Sequence, residues 1–159
     1  MFANWRKELA ISTVNKDWKL PFNFNIHNTL GIGWHQYDLP GYPASHSCLR
    51  LLMDDAKWLF KYADSWVLNK GGATTRANGT PVIVFGDYAW GKAKPWKSLD
   101  KNPKGNDLSE TQMNEIIQPH ISKILEEQKK REEVILEVQK EKEAQLLAQP
   151  EDVSESESA

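Results

Sequence analysis

The amino-acid sequence predicts an α+β protein, mainly β, in which a mixed β-sheet core with one packed helix is followed by a long charged helix. Three observations predict it. Strand-like pieces lie between residues 20 and 34 and again at 81–85, and the segment between them carries an apolar period of three and four residues. Six of the seven Trp and all four Tyr lie before residue 91. Beyond residue 122 there is no aromatic residue and charge dominates, so only the first part of the chain can bury a core.

The elements follow in order. Pro21-Phe22-Asn23-Phe24-Asn25-Ile26 alternates apolar and polar residues, and Leu30-Gly31-Ile32-Gly33-Trp34 returns after a polar turn at His27-Asn28-Thr29, which predicts a hairpin of a half-buried sheet. Leu39-Pro40-Gly41-Tyr42-Pro43-Ala44 forbids helix and favours a fixed loop that delivers the chain to Ser45-His46-Ser47-Cys48. Leu52, Ala56, Leu59, Phe60, Ala63, Trp66 and Val67 then predict an amphipathic helix of about four turns with Asp54 as its cap, so that Cys48 sits just before a helix. Asn69-Lys70-Gly71-Gly72 reads as its stop. Asn78-Gly79-Thr80 is a turn, and Pro81-Val82-Ile83-Val84-Phe85 reads as a buried strand.

The rest of the chain is less apolar. Gly86 to Asp107 reads as an extended strap over the core surface. Ser109 with Gln112 resembles a capping box, Met113, Ile116 and Ile117 begin an apolar stripe, and Pro119 interrupts it. Helical pattern resumes at Ile121 and runs to about Leu147. Val134, Val138 and Leu146 are too sparse for a coiled-coil seam, which leaves a solvated helix laced with opposite charges or a partner-binding helix. Pro150 to Ala159 is acidic and Ser-rich, the composition of a disordered tail. The predicted divisions are a partial catalytic domain at 1–88, a strap at 89–108, a helical extension at 109–148 and a tail at 149–159.

Charge and apolar content exclude several function classes. A formal net charge of -2 offers no basic face for nucleic acid or an anionic membrane. No apolar run approaches the length of a transmembrane segment, and Met1-Phe2-Ala3-Asn4-Trp5-Arg6-Lys7-Glu8 is too polar for the apolar core of a signal peptide. The single cysteine, Cys48, forms no internal disulfide. A lone cysteine is by default a small buried hydrophobe, so any chemistry must come from its neighbours.

Those neighbours carry a pattern. The stretch from His35 through Ser45-His46-Ser47-Cys48-Leu49-Arg50, with Asp55-Ala56 and Leu59-Phe60 beyond it, resembles the active-site signature of the L,D-transpeptidase (YkuD-type) family. Gly79-Thr80-Pro81-Val82-Ile83-Val84 is similar to the strand that closes that family's catalytic sheet, so the joined pattern spans residues 31–86. The resemblance implies the second half of the family's catalytic domain. The early strands with a Thr-Pro-x-Gly turn, and a signal peptide or anchor, do not show before residue 21. The expectation is therefore either a piece of a longer exported protein or a shortened homologue that has lost catalysis.

The chemistry asks for these residue types on its own account. The thiolate is the nucleophile, and a thiol with a pKa near 8.5 needs a histidine to accept its proton or lower its pKa. On the motif match His35 is that partner of Cys48, held through its other ring nitrogen by the carbonyl of Gln36, while His46 either supports catalysis or makes structural hydrogen bonds. Backbone N–H groups of Ser47 and Cys48 are the natural donors to a tetrahedral oxyanion. The family usually has Gly where this chain has Ser47, and a positive φ there would cost a serine on the order of 1 kcal/mol. Arg50 either anchors a substrate carboxylate or binds loop carbonyls. Ser45, Tyr37 and Tyr42 complete the expected substrate-binding set, with Trp34 beside them.

The resemblance implies a peptidoglycan L,D-transpeptidase of the periplasm or cell envelope, forming cross-links between stem peptides through a Cys thioester and needing no cofactor. Its alternatives are an L,D-carboxypeptidase, with water as acceptor, and a non-catalytic wall-binding or interaction protein. A metal site of His35, His46 and Cys48 lacks a fourth ligand, and His-x-Cys is not a usual structural-zinc spacing. His27 and His120 have no motif context and read as surface or turn residues.

Overall fold

The computed structural model describes residues 1–148 and has an α+β fold. Strands β1 (Arg6–Ile11), β2 (Lys19–His27), β3 (Ile32–Gln36) and β4 (Leu49–Leu51) form one sheet in that spatial order. β1–β2 and β2–β3 are antiparallel, and β3–β4 is parallel. Helix α1 (Met53–Tyr62) follows, then the small antiparallel pair β5 (Val67–Leu68) and β6 (Thr75–Ala77), helix α2 (Glu110–Ile117) and helix α3 (Ile121–Leu147). Short 3-10 turns lie at Pro95–Ser98 and Gln118–His120. The expected 149–159 tail lies outside the described residues.

Alternation in the central strands makes the core. Phe24, Ile26 and Trp34 are buried with Ala3 and Ala63, and Leu49, Leu51, Leu59 and Val82 pack against them. The Phe24 ring lies 5.1 Å from Trp34 and 6.2 Å from Phe60 of α1, so the helix covers this face of the sheet. Burying aromatic side chains of this size contributes roughly 2–3 kcal/mol each. The hairpin of β2 and β3 agrees with the sequence reading.

Strand β1 does not. A strand precedes residue 21 after all, pairing from Arg6 opposite Phe24 to Ile11 opposite Lys19. It is an edge strand with a single buried residue, Ala10, so it has no apolar alternation to read, and Arg6, Lys7 and Glu8 discourage further pairing at the open edge.

Helix α1 is shorter than its apolar pattern suggests. Ala63 donates its N–H to Leu59 O and turns extended, and the Arg6 guanidinium takes the freed carbonyls of Phe60 and Ala63 at 2.6 and 2.9 Å. Trp66 then pairs its N–H with Asn4 O at 3.0 Å, which removes Trp66 and Val67 from the helix. Leu52, not Asp54, is the N-cap; Asp54 and Asp55 sit in the first turn, where their charges favour the helix dipole. Gly71-Gly72 belongs to the β5–β6 connection instead of ending α1.

The expected strand at 81–85 is also reduced. Val82 exchanges two hydrogen bonds with Met1, at 2.9 Å each, and Phe2 bridges Pro81, but Val84 and Phe85 are 53 % and 55 % exposed. In the following segment Lys94 sits 4.5 Å from the centre of the Tyr42 ring, and the Trp96 indole covers Gly41, whose φ of +75° and missing Cβ make room for it.

The capping box at Ser109 and Gln112 is present. Helix α3 is packed along one face, which replaces the reading of a solvated helix. Val134 is buried, Arg131 donates to Ser65 O and Asn78 O at 2.9 and 2.8 Å, and Asn78 donates to Glu127 at 2.8 Å. Arg76 of β6 bridges Glu137 and Glu141 at 2.8 and 2.9 Å. These contacts join α3 to the β5–β6 unit.

Candidate active site

Parallel pairing of β3 with β4 sets Trp34 beside Leu49 and His35 beside Arg50. Side chains of adjacent strands that are paired point the same way, and successive ones alternate. Trp34, Leu49 and Leu51 therefore face the core, and His35, Tyr37, Cys48 and Arg50 share the opposite face. There they line one cleft of about 260 Å³ with Ser45 and His46.

His35 is 4 % exposed. Its Nδ1–H donates to the carbonyl of Gln36 at 2.9 Å, which leaves Nε2 as the lone-pair nitrogen of the neutral ring. Its pKa is held below the ordinary histidine value, first by burial and then by the Arg50 charge, against the opposing pull of the Gln36 carbonyl. The ring is thus neutral near pH 7 and able to accept a proton. Tyr37 stands edge-on to it at 5.8 Å.

Arg50 donates to Asp38 O at 3.2 Å and to Ala44 O at 2.8 Å, with its guanidinium 4.8 Å from the Tyr37 ring centre. Of the two roles open to it, the geometry supplies loop binding: it ties both ends of the 38–44 loop to the sheet. Ser45 Oγ donates to Cys48 O at 2.6 Å and closes the cysteine turn. Within that turn Ser47 has φ +90°, a left-handed conformation that an L side chain adopts only under strain. Cys48 is partly exposed, with Sγ 3.9 Å from Gly31 O. Strand β4 intervenes between Cys48 and α1, so the cysteine does not sit directly before the helix as expected.

His46 is exposed and lies 5.5 Å from the Trp18 ring. Tyr42 is not among the cleft-lining residues; it carries Lys94 instead. Ile11 at the end of β1 and Val14 and Trp18 of the β1–β2 turn also line the cleft, which sequence reasoning missed. A signal was present. Ser12 Oγ accepts from Val14 N and Asn15 Oδ1 accepts from Asp17 N, so Ser-x-x-Asn-x-Asp marks a side-chain-closed turn ahead of an aromatic residue.

The lining residues include the Arg50 cation but no carboxylate, so the cleft favours an anionic ligand. Among the described residues no group of three or more His, Cys, Asp or Glu converges to hold a metal, and no helix is long and apolar enough to cross a membrane. A family model, the YkuD L,D-transpeptidase catalytic domain, matches residues 3–84. That match begins well before residue 31 and takes in β1. No curated protein and no solved structure matches the chain.

Proposed function

As this chain belongs to the YkuD family of L,D-transpeptidase catalytic domains, we propose that it is a cysteine acyltransferase that cross-links peptidoglycan stem peptides in the cell envelope, with Cys48 as nucleophile and His35 as its base. The observation that carries the reading is the shared face: a buried, neutral imidazole with Nδ1 committed to Gln36 lines the same cleft as the one thiol. His35 Nε2 takes the Cys48 proton as sulfur attacks the carbonyl between a diamino acid and the terminal D-alanine. The N–H groups of Ser47 and Cys48 hold the oxyanion, each such donor supplying about 3 kcal/mol of transition-state stabilisation. Collapse expels D-alanine, whose nitrogen takes the proton back from His35, and leaves a thioester. The side-chain amine of a second stem then attacks the thioester, a proton passes through His35, and the thiol is restored with a new amide bond.

Arg50 contributes positive charge toward a stem carboxylate while it holds the loop. Ser45 keeps the cysteine turn closed, Tyr37 walls the cleft, and His46 with Trp18 forms its rim. Water in place of the second amine gives a carboxypeptidase from the same thioester.

The test is covalent. A β-lactam of the carbapenem class acylates an activated cysteine of this kind, and intact-mass spectrometry reads one adduct per chain. Cys48→Ala should give none. A folded wild-type protein that stays unmodified would sink the catalytic reading and leave a wall-binding module.

A further inference from the structure

The face of α3 turned away from the domain carries an eleven-residue repeat. Leu125, Lys129, Glu132, Leu136, Lys140, Glu143 and Leu147 follow one another at steps of four, three, four, four, three and four. Eleven residues make three turns at 3.67 per turn, close to the helix's own period, so these positions stay in one nearly straight stripe. It lies opposite Arg131 and Val134, which hold α3 to the β5–β6 unit, and so stands clear of the chain's own domain. Its three leucines are 57 %, 56 % and 86 % exposed, on a helix where charge would otherwise be expected.

We propose that this stripe pairs two copies of the chain, their α3 helices antiparallel about a two-fold axis at Leu136. The order of residues requires that orientation. Read from its C-terminal end the stripe is Leu, Glu, Lys, Leu, Glu, Lys, Leu, so an antiparallel copy sets every Lys against a Glu and every Leu against a Leu. Lys129 meets the partner's Glu143, Glu132 meets the partner's Lys140, Leu125 meets the partner's Leu147, and Leu136 meets itself across the axis. A two-fold contact must be self-complementary in this way. An in-register parallel pair would instead set Lys129 against Lys129 and Glu132 against Glu132. Charges flanking an apolar seam select orientation by this rule.

The stripe is about 33 Å long at 1.5 Å per residue. A contact of that length between two single helices is small, so association is concentration-dependent and weakens as salt screens the Lys–Glu pairs. Sedimentation velocity and light scattering on the full chain, from about 10 μM to 1 mM in low salt, should show mass rising from 18.2 kDa toward twice that value. Lys129→Glu places Glu against the partner's Glu143 and should weaken the dimer at least tenfold. Adding Glu143→Lys to the same chain should restore it, since these positions lie too far apart along one helix to touch within a chain. Leu136→Glu should abolish it. A protein that stays monomeric throughout this range, or a dimer indifferent to Lys129→Glu, or one that Glu143→Lys fails to rescue, overturns the proposal; because all three positions are exposed, circular dichroism separates these results from misfolding.

Discussion

The two faces of β3 and β4 are built from alternating residues of the same short strands, yet they have opposite tasks. On one face Trp34, Leu49 and Leu51 pack with Phe24 under α1. On the other His35 and Arg50 sit with Cys48 in a cleft. A packed face is limited by volume, and its residues can be exchanged for others of similar size and apolarity. In the proposed mechanism the cleft face depends on particular atoms, because a proton would move between two of them and an oxyanion would be met by oriented donors. Substitutions on the two faces should therefore separate rate from stability.

The largest effect expected is on rate. His35→Gln keeps most of the ring's volume but removes the base, and acylation measured by mass spectrometry should slow by about 10²–10⁴-fold with the fold retained. Phe24→Ala strikes the other face and should cost about 3–5 kcal/mol in denaturant unfolding. If His35→Gln lost as much stability as rate, the contrast between the faces would be gone. Arg50→Met spans both tasks: losing two charge-assisted bonds to loop carbonyls should cost about 2 kcal/mol and loosen the 38–44 loop, seen as faster amide exchange there.

A pH series sharpens the same point. His35 has its folded pKa below the unfolded value, so the folded state binds that proton less readily. Its contribution to stability is complete above about pH 6.5 and is lost as pH falls through the lowered folded pKa, with a slope no steeper than about 1.4 kcal/mol per pH unit. His35→Gln should flatten the stability profile in that window. The smallest effect is at the cysteine turn. Ser47→Gly should relieve a φ of +90° and raise stability by about 1 kcal/mol, read as a higher unfolding midpoint.

Legibility followed local signal. The β2–β3 hairpin and the capping box at Ser109 are each properties of a few adjacent residues and could be expected from them, while a positive φ at Ser47 was suggested only by the glycine the family usually has there. So could the hydrogen bond from His35 to Gln36, on the family motif. Strand β1 could not, because an edge strand with one buried residue carries no alternation. The C-terminal limit of α1 is not legible either, because the apolar period runs on through Trp66 and Val67, while the stop is imposed by Arg6 and Asn4 from a distant part of the chain. The same holds for Trp18, whose place beside His46 depends on β1 turning back along β2.

By itself the sequence determined the class of fold, the family and the residues around the lone thiol, since composition, periodicity and a short motif are written in neighbouring positions. Only the tertiary structure decided that Arg50 spends its donors on the loop, that β4 separates Cys48 from the helix N-terminus, that Val84 and Phe85 stay exposed, and that α3 lies along the β5–β6 unit. These are contests between partners distant in the chain, and they are settled by which groups the folded backbone brings within hydrogen-bonding reach.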